Sequence, residues 1–398
     1  MRKPGSSTAL VLFSILVLGC SEEPDLLDPT TRPDAEANRG RGRLDPALVA
    51  QGRDIFRHDT FGDEQFWTDV LGMHEVIESS VSPELALQVG LKVDADALPP
   101  GLLETADLTD PATTVALIGL DAVVGMRGTV DAGGNLTSVG VTCALCHSTV
   151  DDATAAGIGS RLDGWPNRDL DPGAILALSP FFSATQKTVL RSWGPGFHDP
   201  YWNHDGINDP VLIPPAYGLR GVPLETYTGE GPISYWNAYV AVTQMGGQGT
   251  FIEPDLGIEI VHEPDLVTPK LPALRAYQLS LEAPAPPPGT FDPEAARRGK
   301  GVFAAAGCVR CHLPPTYTDA NKTLHDPAEF FTDPSYASRG LTGLWRTTPL
   351  RGLWQHPPYF HDGSASDLSE VVEHYDAAFG LGLSPSEKAD LVQFLLTL

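Results

Sequence analysis

Four of the five cysteines in this 398-residue chain stand in two pentapeptides of one pattern, Cys143-Ala-Leu-Cys146-His147 and Cys308-Val-Arg-Cys311-His312. C-x-x-C-H is the signature of covalent c-type haem attachment. Two thiols three residues apart at the start of a helix share one face, so both reach the two vinyl groups of one porphyrin. The histidine that follows then lies under the ring with a nitrogen for the iron. A thioredoxin-like pair does not require that histidine, and zinc would not require it twice at the same offset. The pattern predicts two covalently bound haem c groups, held by Cys143, Cys146 and His147 and by Cys308, Cys311 and His312. Large flat cofactors demand aromatic walls, and the loops carrying Trp193, Trp202, Trp236, Trp345 and Trp354 are expected to supply them.

The fifth cysteine bears on compartment. Arg2 and Lys3 precede an apolar run from Ala9 to Leu18 that ends in Val17-Leu18-Gly19-Cys20. The run is too short for a mature membrane span but fits a secretory signal core. The closing tetrapeptide resembles a bacterial lipobox, which makes Cys20 the expected lipidation site. Residues 1–19 then read as a lipoprotein signal peptide, and residues 20–43, polar and interrupted by Pro24, Pro29 and Pro33, as a flexible tether. The expected location is the periplasmic side of a bacterial membrane, the outer one, with the lipid anchor as the only membrane contact.

Forty glycines and 36 prolines without a period point to modest helices joined by long loops. A formal charge of -25 excludes nucleic acid as a natural partner and favours a redox partner with a basic docking face. An internal repeat supports two haem domains. Asp45-Pro46 is followed by Gly52 and Ile55-Phe56, and Asp292-Pro293 by Gly299 and Val302-Phe303, at identical offsets. Each Asp-Pro opens a helix, as N-cap and first helical residue. Cys308 follows Phe303 by five residues, whereas Cys143 lies far beyond Phe56, so the first domain carries an insertion over about 57–142. Ser384-Pro-Ser-Glu387 is a capping box for a closing helix, and 270–281 has matching periodicity at the end of the first half. The reading is a mainly α fold with two cytochrome c-like haem domains and long loops. The first domain covers 44–281, a proline-rich linker 282–291, and the second domain 292–398.

Thr348-Pro349-Leu350-Arg351, then Pro358-Tyr359-Phe360-His361-Asp362-Gly363, Leu368, Val371, Val372 and His374-Tyr375, resemble the C-terminal haem domain of the bacterial di-haem cytochrome c peroxidase superfamily. That superfamily includes the di-haem enzyme that matures a tryptophan-derived cofactor and the rubber oxygenases. The resemblance is dense over 291–398 and rests, in the first half, on the haem motif and the opening and closing helices. It implies proximal iron ligands His312 and His147, and electrons that enter at the C-terminal haem and reach peroxide or oxygen at the N-terminal haem, with His147 as the catalytic candidate. It places the sixth ligand of the second haem at Tyr375 or His361, with His374 as a third choice. It also implies a small cytochrome or cupredoxin as redox partner, and leaves a calcium site and a homodimer open.

Arg161, Asn167 and Arg168 follow the first motif closely enough to meet its haem propionates, and Arg351 is placed to do so at the second. Met73 and His74 are the candidates for a sixth ligand at the first haem, with Met126 and Met245 read as core. Two functions follow from these residues: an oxidoreductase with one open iron, or an electron carrier with both irons six-coordinate.

Overall fold

The computed structural model describes residues 43–398. Cys20, the signal segment and nearly all of the tether lie outside the described residues. No helix among the described residues is long and apolar enough to cross a membrane.

The N-terminal half opens with α1 (Pro46–His58), capped by the Asp45 carboxylate on the Ala47 amide. The segment up to Cys143 holds α2 (Met73–Ser80), α3 (Pro111–Gly119) and a hairpin of β1 (Met126–Val130) and β2 (Leu136–Val141). This half closes with α4 (Leu271–Ser280). The C-terminal half runs from α5 (Pro293–Ala305), capped by Asp292, through α6 (Leu368–Phe379) to α7 (Pro385–Leu395). Ser384 and Glu387 form the reciprocal cap of α7. The fold is mainly helical, and every sheet among the described residues is a two-stranded ribbon.

Both halves are built on one device, the crossing of an opening and a closing helix. Its tightest point is a glycine. A Cβ at Gly52 of α1 would stand 1.9 Å from the Ala273 carbonyl oxygen of α4, and one at Gly299 of α5 would stand 1.8 Å from the Asp390 carbonyl oxygen of α7. No side chain fits between backbones that close, which explains why the repeat carries glycine at the same offset in both copies.

The 57–142 segment is part of the first core. Trp67, Met73, Ile77, Ile118, Leu136 and Val139 are buried in the same cluster as Ile55, Phe56 and Leu274. The Trp67 indole N–H donates to the Met245 carbonyl (3.0 Å). The Thr68 hydroxyl donates to the Val139 carbonyl and accepts from its amide, which fixes β2 as it leads into Cys143.

The division between the halves is less clean than a linker at 282–291 implies. Phe303, Leu353, Leu368, Val372, Leu391, Phe394 and Leu395 form a separate small core. Tyr336, Ala337 and Trp345, however, are buried in the N-terminal core. Polar clamps hold this excursion down. The Arg339 side chain, 4% exposed, binds Asp199 (2.9 Å) and Asp205 (2.7 Å). Arg346 pairs with buried Glu225 at 2.7 Å. A buried ion pair is costly to break because one charge is left unpaired.

Gly299 and Gly301 share one helix but opposite surroundings, since nothing lies within 4 Å of a Cβ at Gly301. Gly299→Ala is expected to destabilise the haem-loaded protein by about 1–3 kcal/mol or more through overpacking. Gly301→Ala should stabilise it by about 0.5–1 kcal/mol through helix propensity. Unfolding midpoints of the two variants against the parent chain check both signs.

Candidate haem sites

β2 ends at Val141, and Cys143 opens a single helical turn, Ala144–His147. The chain then turns into the short strand Ser148–Val150, which pairs with Arg161–Asp163. Two backbone bonds close the loop around the motif: the Gly164 amide donates to the His147 carbonyl (2.7 Å) and the Asn167 amide to the Cys146 carbonyl (2.9 Å). The His147 ring is fixed by its Nδ1 at 3.1 Å from the Pro214 carbonyl oxygen. Nδ1 carries the proton, and Nε2 is left with its lone pair. Desolvation pushes His147 down to about 4, so the ring is neutral at pH 7, the form that binds a metal. Desolvation also pushes the Cys143 and Cys146 thiols up to about 12, a setting that favours an uncharged thioether over a thiolate.

The second site repeats this logic with different backbone. Gly307, at φ 84°, turns the end of α5 into a 3-10 turn, Cys308–Arg310. His312 Nδ1 lies 3.0 Å from the Tyr317 carbonyl oxygen, and desolvation lowers its pKa. All four cysteines are free of disulfides. Two neutral histidines, each with Nδ1 pinned by a backbone carbonyl, are the donor set a haem iron requires.

Of the sixth-ligand candidates, Tyr375 of α6 lies next to the second motif. Burial and the neighbouring Cys308 and Cys311 push its hydroxyl up to about 12. His361 is 7% exposed and packs its ring 4.6 Å from Trp345, with Tyr336 and Tyr227 at 6.3 Å. His374 donates through Nε2 to the Phe330 carbonyl (2.9 Å), which engages the nitrogen it would offer to iron. His361, His374, Phe360 and Asp333 line a polar cavity of about 180 Å³ beside them. At the first site, Met73 is core, Met245 is buried, and Met126 sits half-buried at the start of β1. The His74 Nδ1 is shielded from solvent without a hydrogen-bond partner.

The structure gives the proposed propionate partners protein contacts of their own. Arg161 pairs with Asp94 at 3.1 Å, and Asn167 donates to the Gly90 carbonyl. Arg168 donates to the Ile213 carbonyl of one half (2.9 Å) and the His356 carbonyl of the other (3.2 Å). Arg351 crosses back to the Gly218 and Arg220 carbonyls. Buried donor atoms nevertheless remain unmatched around the first motif, Arg161 Nη1 and Arg168 Nε among them. An orphaned guanidinium nitrogen next to a haem motif fits a carboxylate-bearing cofactor.

Two features escaped the sequence reading. Trp165, in the loop after the first motif, meets Trp354 of the second half edge to face at 5.8 Å, and the Trp354 indole N–H donates to the linker carbonyl of Pro284. His198 lies close enough to His147 for their charges to interact, and its Nδ1 is shielded and unbonded. Neither belongs to a spaced motif; only the folded loops bring them to the sites.

No protein-family model matches the chain. Among curated proteins it is 30% identical over 145 residues to the cytochrome-c peroxidase IdrP1 of Pseudomonas sp. (strain SCT), spanning 25% of this chain and 38% of that protein. It is 31% identical over 122 residues to the methylamine utilization protein MauG of Methylorubrum extorquens, spanning 26% of this chain and 34% of MauG. The chain thus spans little more than a third of the length of the curated relatives it matches. Among solved structures, a MauG-like protein associated with microbial copper homeostasis aligns with a TM-score of 0.35 and 19% identity, over 48% of this chain and 74% of that one. Over about a quarter of its length the chain is thus similar to cytochrome-c peroxidases and MauG, proteins of the superfamily its C-terminal motifs resemble.

Proposed function

We propose that this protein is a di-haem oxidoreductase of the cytochrome c peroxidase and MauG type, with Cys143, Cys146 and His147 holding one haem c and Cys308, Cys311 and His312 the other. The observation that carries this reading is the matched pair of buried histidines that follow the two cysteine motifs, each with Nδ1 held by a backbone carbonyl. When bound, the two groups supply electron transfer, with electrons entering at the C-terminal haem and peroxide or oxygen reduced at the N-terminal one.

The chain's own residues set what each site does. Pro214 and Tyr317 keep the two histidines in the metal-binding tautomer. Tyr375, next to Cys308 and Cys311, is the sixth ligand we assign to the second haem, which makes that site a relay rather than a reaction centre. Arg161 and Arg168 hold the propionates of the first haem with the nitrogens that have no protein partner. Arg168 also ties the two halves together through the Ile213 and His356 carbonyls. Trp165 and Trp354 fill that junction. In the cell, Cys20 tethers the folded body to the periplasmic side of the membrane, where a small redox protein with a basic face delivers electrons.

Denatured protein matured by a c-type haem assembly system and washed with acid acetone is expected to keep two porphyrins per chain. The Cys143→Ala/Cys146→Ala double variant should keep one, and a colourless parent chain would refute attachment.

Tyr375→Phe should convert the second haem to high spin, while His361→Ala leaves it low spin; electron paramagnetic resonance reads the difference. His147→Ala should reduce peroxide turnover to background with the second haem's spectrum intact. Two low-spin haems that bind neither cyanide nor peroxide after half reduction would instead make the protein an electron carrier.

A further inference from the structure

A connected set of oxidisable rings runs through the junction of the two halves, away from both cysteine motifs. Trp345 stacks on Tyr336 with centroids 6.3 Å apart and planes 6° from parallel. Tyr336 lies 5.3 Å from Tyr201, which lies 6.0 Å from Tyr239. Tyr239 continues to Trp236 at 5.6 Å. Exposed His204 borders Tyr201 at 5.7 Å, so the set reaches the surface there. At its other end Trp345 touches His361, one residue from Phe360, whose ring is 6.1 Å from Tyr375 beside the second motif. Tyr201, Tyr239 and Tyr336 are 0–1% exposed. Rings in such contact pass an electron vacancy from one to the next, because each step is a few ångströms.

One member differs from the rest. The Tyr201 hydroxyl donates to both carboxylate oxygens of Glu230, at 3.0 and 3.1 Å. The Tyr239 hydroxyl donates instead to the Pro200 carbonyl, which cannot keep a proton, and no carboxylate hydrogen-bonds to it. Glu230 is held in place from the other half, by the Leu341 amide at 2.7 Å and by the lack of a side chain at Gly340, where a Cβ would lie 2.1 Å from Glu230 Oε1. The Arg339 guanidinium sits 5.4 Å from the centre of the Tyr201 ring. That charge disfavours a radical cation on Tyr201, so electron loss there must be accompanied by proton loss. Burial raises the Glu230 pKa, which makes its carboxylate a better proton acceptor than a surface one.

We propose that Tyr201 and Glu230 form a redox-active pair, the sink of an aromatic relay that lends electrons to the haem sites. The inference rests on the peroxidase reading above. Reduction of hydrogen peroxide to two waters takes two electrons and two protons. In the absence of a donor protein, Tyr201 supplies one electron through Tyr336 and Trp345, and the other would come from the bound haem groups. The Tyr201 O–H bond breaks, its proton passes to Glu230, and the products are a neutral phenoxyl radical and a carboxylic acid. The protons for water come from solvent. Donor electrons later return Tyr201 to the phenol as Glu230 gives the proton back.

The test is electron paramagnetic resonance on freeze-quenched haem-loaded protein oxidised in two ways: with hydrogen peroxide, and by flash photolysis of tris(bipyridine)ruthenium with persulfate, which needs no haem chemistry. Both should give a tyrosyl signal in the parent chain. Tyr201→Phe, which removes only the hydroxyl, should abolish it, and Glu230→Gln should lower it about tenfold for want of a base. Tyr277→Phe, which removes the hydroxyl that donates to Asp163, should leave the signal unchanged. A tyrosyl signal undiminished in Tyr201→Phe, or lost in Tyr277→Phe, overturns the proposal. So does the absence of any tyrosyl signal under photo-oxidation. A haem spectrum unmoved by peroxide, with the Tyr201 radical still formed by light, would overturn the peroxidase reading and leave the redox pair standing.

Discussion

The orientation of two imidazole rings by two backbone carbonyls is the constraint on which the rest of this molecule depends. A histidine binds metal through one nitrogen, and the bond made by the other decides which one is offered. At His147 the acceptor is the Pro214 carbonyl, 67 residues away in the chain; at His312 it is the Tyr317 carbonyl, five residues on. The second site is therefore nearly self-contained. The first exists only once the chain from Ser148 to Ala216 has looped back to present Pro214. The Ala216 amide bonded to the Gly164 carbonyl locks that return.

This difference explains why the two halves are built at such different scales from one repeat. The C-terminal half needs an opening helix, a motif and two closing helices, and its core is correspondingly small. The N-terminal half must hold a distant carbonyl in register, and the 57–142 segment supplies the rigidity. Thr68 fixes β2, Trp67 fixes the segment holding Met245, and Asp63 accepts from the Val141 amide just before the motif. Burial pushes the Asp63 carboxyl up to about 9, so it stays protonated at pH 7 and buries no charge beside the first haem site.

The skeleton was legible because its causes are local. Asp-Pro caps, a capping box at Ser384 and Glu387, and a glycine at one offset in both copies are chemistry written within one or two helical turns. The two C-x-x-C-H pentapeptides are local patterns of the same kind. What stayed hidden depends on contacts between residues far apart in sequence. Nothing in the neighbourhood of Trp345 shows that it is buried with Tyr201 and Tyr239 rather than with its own half. Nor does spacing distinguish Tyr375 from His361 as a candidate ligand. Their surroundings differ: Tyr375 is close enough to Cys308 and Cys311 for their charges to raise its pKa, whereas the His361 ring packs on Trp345. Arg351 shows the same limit: its place near the second motif suggested a propionate, and the fold gives it two carbonyls of the first half.

Interleaving of the halves is also what gives the junction its electrical character. Had 292–398 folded as a separate bead, the surfaces between the two motifs would be wet, and a phenol there would hydrogen-bond to water rather than to one fixed base. Instead the C-terminal half contributes Tyr336, Arg339, Gly340 and the Leu341 amide to a dry region whose other members, Tyr201, Glu230 and Tyr239, come from the N-terminal half. Each half alone lacks part of the Tyr201–Glu230 environment: one has the phenol and the base, the other the cation and the amide that position them. In a low-dielectric interior such fixed partners act with little screening. The cost is borne by clamps such as Arg339 with Asp199 and Arg346 with Glu225, whose loss would strand charge in the same dry region. The junction is therefore mechanically one structure, and a change that loosens it must disturb the Tyr201–Glu230 environment as well as stability.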